Sequence, residues 1–302
     1  MKNKGWIFIF IILILTFFID DVSLSQNMGS RVALLEIKGP IMQESSGISA
    51  GSRDIANAIL NAAQNSEVRA IFLDINSPGG TVGGSQEIYW ALRKFRDSDY
   101  SYLGDGGETL SSKKIVHAYI GELGASGGYY AASAANHISS LPSSLVGSIG
   151  VIFSNFNFVK MMEKIGIEDQ TFTAGEYKDL GSSFKTMSDE DSKVLQEMID
   201  ESYDVFVNDV AYGRKNLSLE EVKGLANGWV YSGNKAVENG LIDSVVYSYR
   251  EALDNLCLEV GEKVQCETYM ITPESDPFAD IFNLLGRFDL LNHKFFTLYP
   301  NY

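Results

Sequence analysis

The sequence predicts an α/β fold, in which strands alternate with helices that cross over a largely parallel sheet. Two observations support this. Residues 68–75 (VRAIFLDI) form a nearly continuous apolar run rich in β-branched residues, which is typical of a strand buried on both faces. Two further strand-like segments, 32–37 and 114–120, are also each followed by a helix-like segment.

The remaining elements follow in order along the chain. The first strand ends at Gly39-Pro40, and residues 146–153 are predicted to be extended. The polar, glycine-containing residues 97–112 predict a surface loop. Helices are predicted at 53–64, 85–96, 127–135, 156–165 and 189–212.

Length and charge restrict the possible functions. The chain has 302 residues, enough for one large domain or two small ones. It carries 39 acidic and 24 basic residues, for a formal net charge of -15. Binding to phosphates needs a concentrated basic surface, so this balance argues against nucleic acid as a partner.

The two cysteines, Cys257 and Cys266, leave two interpretations open. They lie outside any CxxC or Cys/His pattern, which argues against a structural zinc site, and no metal or cofactor is expected. They are either unpaired thiols or a disulfide, and a disulfide requires an oxidising compartment.

The N-terminus has the layout of a signal sequence or a signal anchor. Lys2 and Lys4 precede an apolar run at 6–19, and two aspartates follow it. This charge distribution favours an N-terminus inside and a main domain outside the cytoplasm. The run is short for a membrane-spanning helix, and residues 23–25 (SLS) could be cut by a signal peptidase. We expect a retained anchor, with a cleaved signal as the alternative.

The first motif with chemical potential is residues 76–80 (NSPGG), directly after the buried strand. Proline fixes one backbone angle, and Gly79 and Gly80 let the chain turn with no side chain in the way. Backbone N–H groups at such a turn can bind an oxyanion. An ordinary turn between a strand and a helix is the alternative.

The second motif is residues 124–130 (GASGGYY), which place Ser126 near the start of a helix of small residues. The unpaired N–H groups of a helix N-terminus favour developing negative charge, and the flanking glycines let a substrate carbonyl approach. Ser126 is therefore a candidate nucleophile. The alternative is a helix cap, for which serine is a preferred residue.

The third motif is residues 175–179 (GEYKD), with Lys178 as a candidate general base. A serine hydroxyl needs a base to take its proton. The histidines, His117, His137 and His293, lie outside any glycine-rich or loop context. A lysine can act instead where burial lowers its pKa toward neutrality. On residue chemistry alone, a solvated surface lysine is the simpler interpretation.

Together these motifs resemble the signal peptide peptidase A family of serine peptidases. INSPGG, GASGGYYAASAA, GSIGV and GEYKD occur in the family's order, and WVYSGNKAVENGLID follows at 229–243. The resemblance covers about residues 32–246. It implies a caseinolytic protease/crotonase-like fold with repeated β-β-α units, preceded by an N-terminal hydrophobic helix. It divides the chain into an anchor and linker (1–30), a serine peptidase domain (31–260) and a C-terminal extension (261–302).

The resemblance also implies roles for individual residues. Ser126 would attack the peptide carbonyl, and Lys178 would remove the serine proton. Ser148, in the GSIG motif, would hydrogen-bond and orient the lysine. The oxyanion hole would use backbone N–H groups of the Gly79-Gly80 turn and of Gly127.

The resemblance further implies a ring or dome of identical subunits in which the lysine comes from a neighbouring subunit. The expected substrates are hydrophobic peptides, notably signal peptides left after secretion. The expected location is the cell membrane, with one membrane pass and the catalytic domain on the extracytoplasmic side.

Two other functions remain as alternatives. A crotonase-like enzyme acting on acyl-coenzyme A would be cytosolic and would use an acidic catalytic pair, which the N-terminal segment and Ser126 argue against. A catalytically silent membrane scaffold would lose the dyad, whereas Ser126 and Lys178 are both present.

Overall fold

The computed structural model describes residues 31–46, 49–103, 109–261 and 266–271, and it has an eight-stranded sheet at its centre. The strands of the described residues are β1 (Arg31–Lys38), β2 (Ile41–Met42), β3 (Ala50–Gly51), β4 (Val68–Ser77), β5 (Asp99–Leu103), β6 (Thr109–Lys113), β7 (Ile115–Ala125), β8 (His137–Ser140), β9 (Leu145–Gly147), β10 (Val230–Ser232), β11 (Ser244–Val245) and β12 (Glu267–Met270). The helices are α1 (Ser52–Gln64), α2 (Val82–Asp97), α3 (Gly127–Ser133), α4 (Val159–Ile165), α5 (Asp189–Gly213), α6 (Leu219–Leu225), α7 (Gly233–Glu238) and α8 (Tyr249–Glu259).

The main sheet has the strand order β10-β9-β7-β4-β1-β12, with β8 pairing with β7 and β11 pairing with β8. The β9–β10 pair is antiparallel, and the other pairs of this sheet are parallel. Parallel neighbours require crossover connections, which α1, α2 and α3 help to provide. The predicted α/β class is therefore confirmed, while the caseinolytic protease/crotonase-like arrangement stays a prediction.

The central strand β4 is buried on both faces, as its composition predicts. Ile71, Leu73 and Ile75 belong to the larger apolar cluster, which also contains residues of α1, α2, α3 and α5. Ala70 and Phe72 belong to a second cluster against α8. Successive side chains of a strand point to opposite faces, so a strand between two apolar layers needs an unbroken apolar run.

A fully buried lysine stabilises the end of α1. The amine of Lys114 donates to the carbonyl oxygens of Ala62, Ala63 and Asn65 at 3.0, 2.9 and 2.7 Å. The last carbonyls of a helix have no partner within the helix, and they carry the negative end of its dipole. Burial lowers the pKa of Lys114 to about 8.

The segment predicted as a surface loop at 97–112 is instead mostly an antiparallel β-hairpin, and that prediction is wrong. Strands β5 and β6 pair from Asp99 opposite Lys113 to Leu103 opposite Thr109. Polar residues that alternate with aromatic or aliphatic ones satisfy their backbone groups in a two-stranded ladder as well as in a loop. Glycine and charge content had favoured the loop.

The predicted N-terminal hydrophobic helix and most of the predicted C-terminal extension lie outside the described residues. Within the described ranges, no helix combines the length and the apolar character needed to cross a membrane. Cys257 of α8 and Cys266 form a disulfide, which decides between the two interpretations of the cysteines. The disulfide ties α8 to the start of β12 at the sheet edge.

Candidate active site

The first turn of the site follows β4 and depends on two glycines. Ser77 Oγ donates to the Gly39 carbonyl at 2.6 Å and accepts the Gly79 N–H at 3.1 Å. Gly79 has φ 93°, a conformation that favours glycine. A β-carbon at Gly80 would overlap the carbonyl of Ile41, so this position also requires glycine.

The backbone hydrogen bonds of this turn leave one donor available. The Ile41 N–H donates to the Gly79 carbonyl at 2.8 Å, and the Thr81 N–H donates to the Ile41 carbonyl at 2.9 Å. The Gly79 N–H is taken by Ser77 Oγ, whereas the Gly80 N–H is used in none of these bonds. Of the two glycines predicted to form an oxyanion hole, Gly80 therefore carries the available N–H.

The second turn joins β7 to α3 and contains Ser126 in a strained conformation. Ser126 has φ 51° and ψ -122°, a region that residues with a β-carbon rarely adopt. Such strain costs of order 1–3 kcal/mol and is commonly found at functional sites. A helix cap does not need this conformation, and Ser126 makes no side-chain capping hydrogen bond. Ser126 therefore occupies the N-cap position of α3 without capping the helix through its side chain.

The glycines after Ser126 are required by close packing. Every residue of α3 is buried. A β-carbon at Gly127 would overlap Ser85 Oγ, and one at Gly128 would lie 2.7 Å from the Ser77 carbonyl oxygen. The first N–H groups of a helix have no acceptor within that helix, so the Gly127 N–H is a second available donor.

The two turns are in direct contact. A β-carbon at Gly79 would lie 2.5 Å from the Gly127 nitrogen and 2.9 Å from Ser126 Cβ. The structure therefore brings the NSPGG and GASGG motifs together beside one serine hydroxyl. Sequence order alone separates them by more than 40 positions, and the pairing of β4 with β7 closes this distance.

Ser148 lies next to Ser126 because β9 pairs with the end of β7. Ala125 is opposite Gly147, and the Ser126 N–H donates to the Gly147 carbonyl at 2.8 Å. Ser148 also has a positive φ, 49°, and its N–H donates to the Trp229 carbonyl at 2.8 Å. Ser126 and Ser148 are the non-glycine residues with positive φ among those described.

Ser126 and Ser148 open into one cavity of about 660 Å³. Its walls combine polar and apolar surface in similar amounts and include one carboxylate, that of Asp200, whose oxygen accepts a 2.7 Å hydrogen bond from Gln196. The lining residues not yet placed come from the turn after β4, from the segment after Ser148, from α5 and from the turn before β10: Pro78, Val82, Gly150, Val151, Ile152, Ile199, Tyr203, Ala226, Asn227 and Gly228.

The α5 and 226–228 walls were missed by sequence reasoning. The helix at 189–212 was predicted, but its apolar side chains at Ile199 and Tyr203 could equally have faced a core. The helical spacing of apolar residues identifies a face, and it does not identify what that face contacts.

Lys178 does not line this cavity, and its side chain is exposed. It lies in a series of turns between α4 and α5, where its N–H donates to the Gly175 carbonyl at 3.2 Å. Within one chain the structure therefore does not bring Lys178 to Ser126.

The described histidines are structural. His117 is buried, its Nε2 is 2.8 Å from Ser139 Oγ, and burial lowers its pKa to about 3. His137 Nε2 lies 2.9 Å from Ser244 Oγ. Neither residue lines the cavity of Ser126. His293 lies outside the described residues. Among the described residues, no cluster of three or more His, Cys, Asp or Glu side chains could hold a metal ion.

Comparison with known proteins places these features in context. A model of peptidase family S49 matches residues 108–261, which include Ser126, Ser148 and Lys178. A protein of Enterococcus faecium with the provisional name signal peptide peptidase SppA is 38% identical over 193 residues, covering 64% of this chain and 52% of the relative. The chain thus spans about half the length of that relative.

Two further relatives have protease names. A protein of Synechocystis sp. with the provisional name protease slr0021 is 36% identical over 213 residues, covering 70% of this chain and 69% of the relative. The chloroplastic serine protease SPPA of Arabidopsis thaliana is 29% identical over 227 residues, covering 75% of this chain and 30% of the relative.

Proposed function

Because this chain belongs to peptidase family S49, as an SppA-type member, we propose that it is a serine endopeptidase in which Ser126 is the nucleophile and Lys178 is the general base. The observation that carries the proposal is the strained backbone of Ser126, held against a second turn with an available N–H. Membership of a peptidase family favours this function over an acyl-coenzyme A enzyme or a silent scaffold.

The proposed reaction proceeds in two steps through an acyl-enzyme. Ser126 Oγ attacks the peptide carbonyl carbon while the neutral amine of Lys178 takes its proton. The oxyanion accepts hydrogen bonds from the Gly80 and Gly127 N–H groups. The protonated lysine then gives its proton to the leaving amine. In the second step a water molecule attacks the ester, and the lysine again accepts and returns a proton.

We assign Lys178 to the neighbouring subunit because its own chain leaves it exposed. Lys178 lies in the segment of chain between Ser148 and α5. This segment also exposes large apolar side chains, among them Ile152 (89% exposed), Phe156 (75%) and Phe172 (95%). Helix α4, within the same segment, has no buried residue. Uncovered apolar surface of this kind favours an interface. A second copy seated on the segment would bring Lys178 towards a Ser126 that is not its own.

The apolar side chains in the cavity wall, such as Val151 and Ile199, suit the substrates that we propose, and the disulfide suits the proposed location. Hydrophobic peptides, such as signal peptides left after secretion, would lie in extended form along the cavity beside Ser126. A disulfide between Cys257 and Cys266 persists in an oxidising compartment, which supports a catalytic domain outside the cytoplasm. The membrane anchor would be the apolar run at 6–19.

A mixing experiment with a fluorophosphonate probe and a peptide substrate tests the dyad. Ser126→Ala should not label, and Lys178→Ala should label at least about 100-fold more slowly, since a general base contributes roughly 10²–10⁴-fold. When the two variants are denatured, mixed and refolded together, peptide hydrolysis should return. If the probe labels a serine other than Ser126, the assignment of Ser126 as the nucleophile is wrong. If mixing restores nothing although mixed oligomers form, the dyad is not shared between subunits.

A glycine pair tests the oxyanion turn. Gly80→Ala should abolish hydrolysis, because the added methyl overlaps the Ile41 carbonyl and displaces the N–H donor. Gly83→Ala is the matched control, since a β-carbon there meets no atom within 4 Å. Hydrolysis by a folded Gly80→Ala variant at the wild-type rate would show that this turn does not hold the oxyanion.

A further inference from the structure

The loop that carries Lys178, residues 175–187, is held by side chains and not by regular secondary structure. Its internal backbone hydrogen bonds form single turns, such as those from Leu180 N–H to the Tyr177 carbonyl at 3.1 Å and from Ser182 N–H to the Asp179 carbonyl at 3.0 Å. Turns of this kind fix local shape but not the position of a loop on the protein. That position depends on contacts with the rest of the chain.

One set of contacts ties the loop to the segment that follows Ser148. The Phe158 N–H donates to the Ser183 carbonyl at 2.8 Å, and Ser183 Oγ donates to Asn155 Oδ1 at 2.7 Å. Asn157 Nδ2 donates to the Lys185 carbonyl at 3.0 Å. The loop and the segment at 155–158 therefore form one unit.

The second set is an ion-pair network centred on Lys185. Its amine lies 2.8 Å from Asp179 Oδ1 and 3.2 Å from Asp191 Oδ2. The side chain of Asp191 is only 7% exposed, and it also accepts the Ser188 N–H at the start of α5. Hydrogen bonds with Asp179 raise the pKa of Lys185, and the backbone bond from Ser188 lowers that of Asp191. Both groups are thus held in their charged forms.

We propose that Lys185 is a positioning residue for Lys178: its amine binds Asp179 and Asp191, fixes the loop on α5, and keeps both carboxylates from pairing with the Lys178 amine. Asp179 directly follows Lys178 in the chain, so it is the carboxylate that moves with Lys178. This inference rests on the proposed function of Lys178.

The charge of the network matters because a general base must be neutral to accept a proton. A nearby carboxylate favours the ammonium form and raises the pKa of a lysine. Lys185 places one positive charge between a carboxylate of the loop and a carboxylate of α5, and it offsets one of their two negative charges. The other acidic groups that face this part of the loop are Glu176, Glu190 and Glu197, which act on the neighbouring Tyr177 and are solvent-exposed. Their charges are screened by water, and they remain in every variant described below.

The test measures the rate of fluorophosphonate labelling at Ser126 as a function of pH in the full-length oligomer. The labelling rate should rise with pH as the general base becomes neutral, and this part of the profile is the rising limb. Lys185→Met should move the rising limb to higher pH by roughly 0.5–1 unit, the size expected for one charge near a partly exposed site. Labelling at pH 7 should fall about 3- to 10-fold. Lys185→Arg should restore both, since it keeps the charge and both partners.

Removal of the Asp179 carboxylate distinguishes an effect of charge on the pH profile from a loss of loop structure. Asp179→Asn alone should move the limb to lower pH, and in the Lys185→Met background it should move the limb back toward the wild-type value. A purely structural role predicts that the double variant labels no faster than Lys185→Met and that the limb does not shift in either variant. Lys235→Met is the matched control, since Lys235 forms an exposed ion pair with Glu238 at 2.8 Å.

Each outcome supports or overturns the inference. A limb that stays fixed in both Lys185→Met and Asp179→Asn overturns it, as does a lower rate with an unshifted limb. If Lys185→Met does not fold, the acid shift of Asp179→Asn decides. Failure of the proposed function has a different signature, because Lys178→Ala would then label as fast as the wild type.

Discussion

The strained backbone of Ser126 predicts a difference in stability between two variants that are equally inactive. Both Ser126→Ala and Ser126→Gly remove the hydroxyl and should abolish labelling. They differ in the β-carbon, which alanine keeps at φ 51° and ψ -122° and glycine does not have. Relief of such strain is worth about 1–3 kcal/mol, and the extra freedom of glycine in the unfolded chain costs about 0.5–1 kcal/mol. The glycine variant should therefore be more stable than the alanine variant, by about 1 kcal/mol at the middle of these ranges and by at most about 2.5 kcal/mol.

Urea denaturation at one fixed protein concentration measures this difference, since assembly links stability to concentration. For a domain of this size, a difference of about 1 kcal/mol would raise Tm by about 2–4 °C. Ser202 provides a control in which the stability difference has the opposite sign. Because Ser202 lies within α5, Ser202→Gly should be less stable than Ser202→Ala by about 1 kcal/mol. A Ser126→Gly protein no more stable than Ser126→Ala would refute the claim that this turn stores strain.

Two further predictions concern stability. Replacement of Cys257 and Cys266 by serine should lower the free energy of unfolding by about 2–3 kcal/mol, the loop-closure entropy of a short cross-linked loop, and should leave labelling of Ser126 unchanged. Denaturation of the wild-type protein with and without reductant measures the same difference. Equal curves would contradict the disulfide. Burial favours a higher pKa for Asp243, but the bidentate Arg214 guanidinium, at 2.7 and 2.9 Å, and the Ile138 N–H, at 2.7 Å, together outweigh burial and lower that pKa. The folded-state pKa lies below the unfolded one, so the stabilisation is present above about pH 4 and is lost as pH falls through the folded value. Asp243→Asn should flatten the acid limb of the stability curve, and an unchanged limb would show that this pair does not control it.

The sequence was sufficient where local chemistry decides the structure. The buried strand, the glycine turns and the long helix at 189–212 each follow from residues that are close together in the chain. The hairpin at 99–113 was missed because polar and glycine residues are compatible with both a loop and a ladder, and the choice depends on pairing. The cavity walls from α5 were also missed, because a helical pattern does not state which neighbour its apolar face contacts.

The two lysines show most clearly what each level determines. From the sequence alone, the resemblance carried by the order of the motifs predicted Ser126 and Lys178 as a pair, and Lys114 had no distinguishing feature. In the structure Lys114 is fully buried beneath the end of α1, whereas Lys178 is exposed on its own chain. Burial is decided by contacts between segments that are distant in sequence, so only the tertiary structure reveals which amine has lost its water. Local sequence determined which groups are available for chemistry, and packing determined where each of them lies.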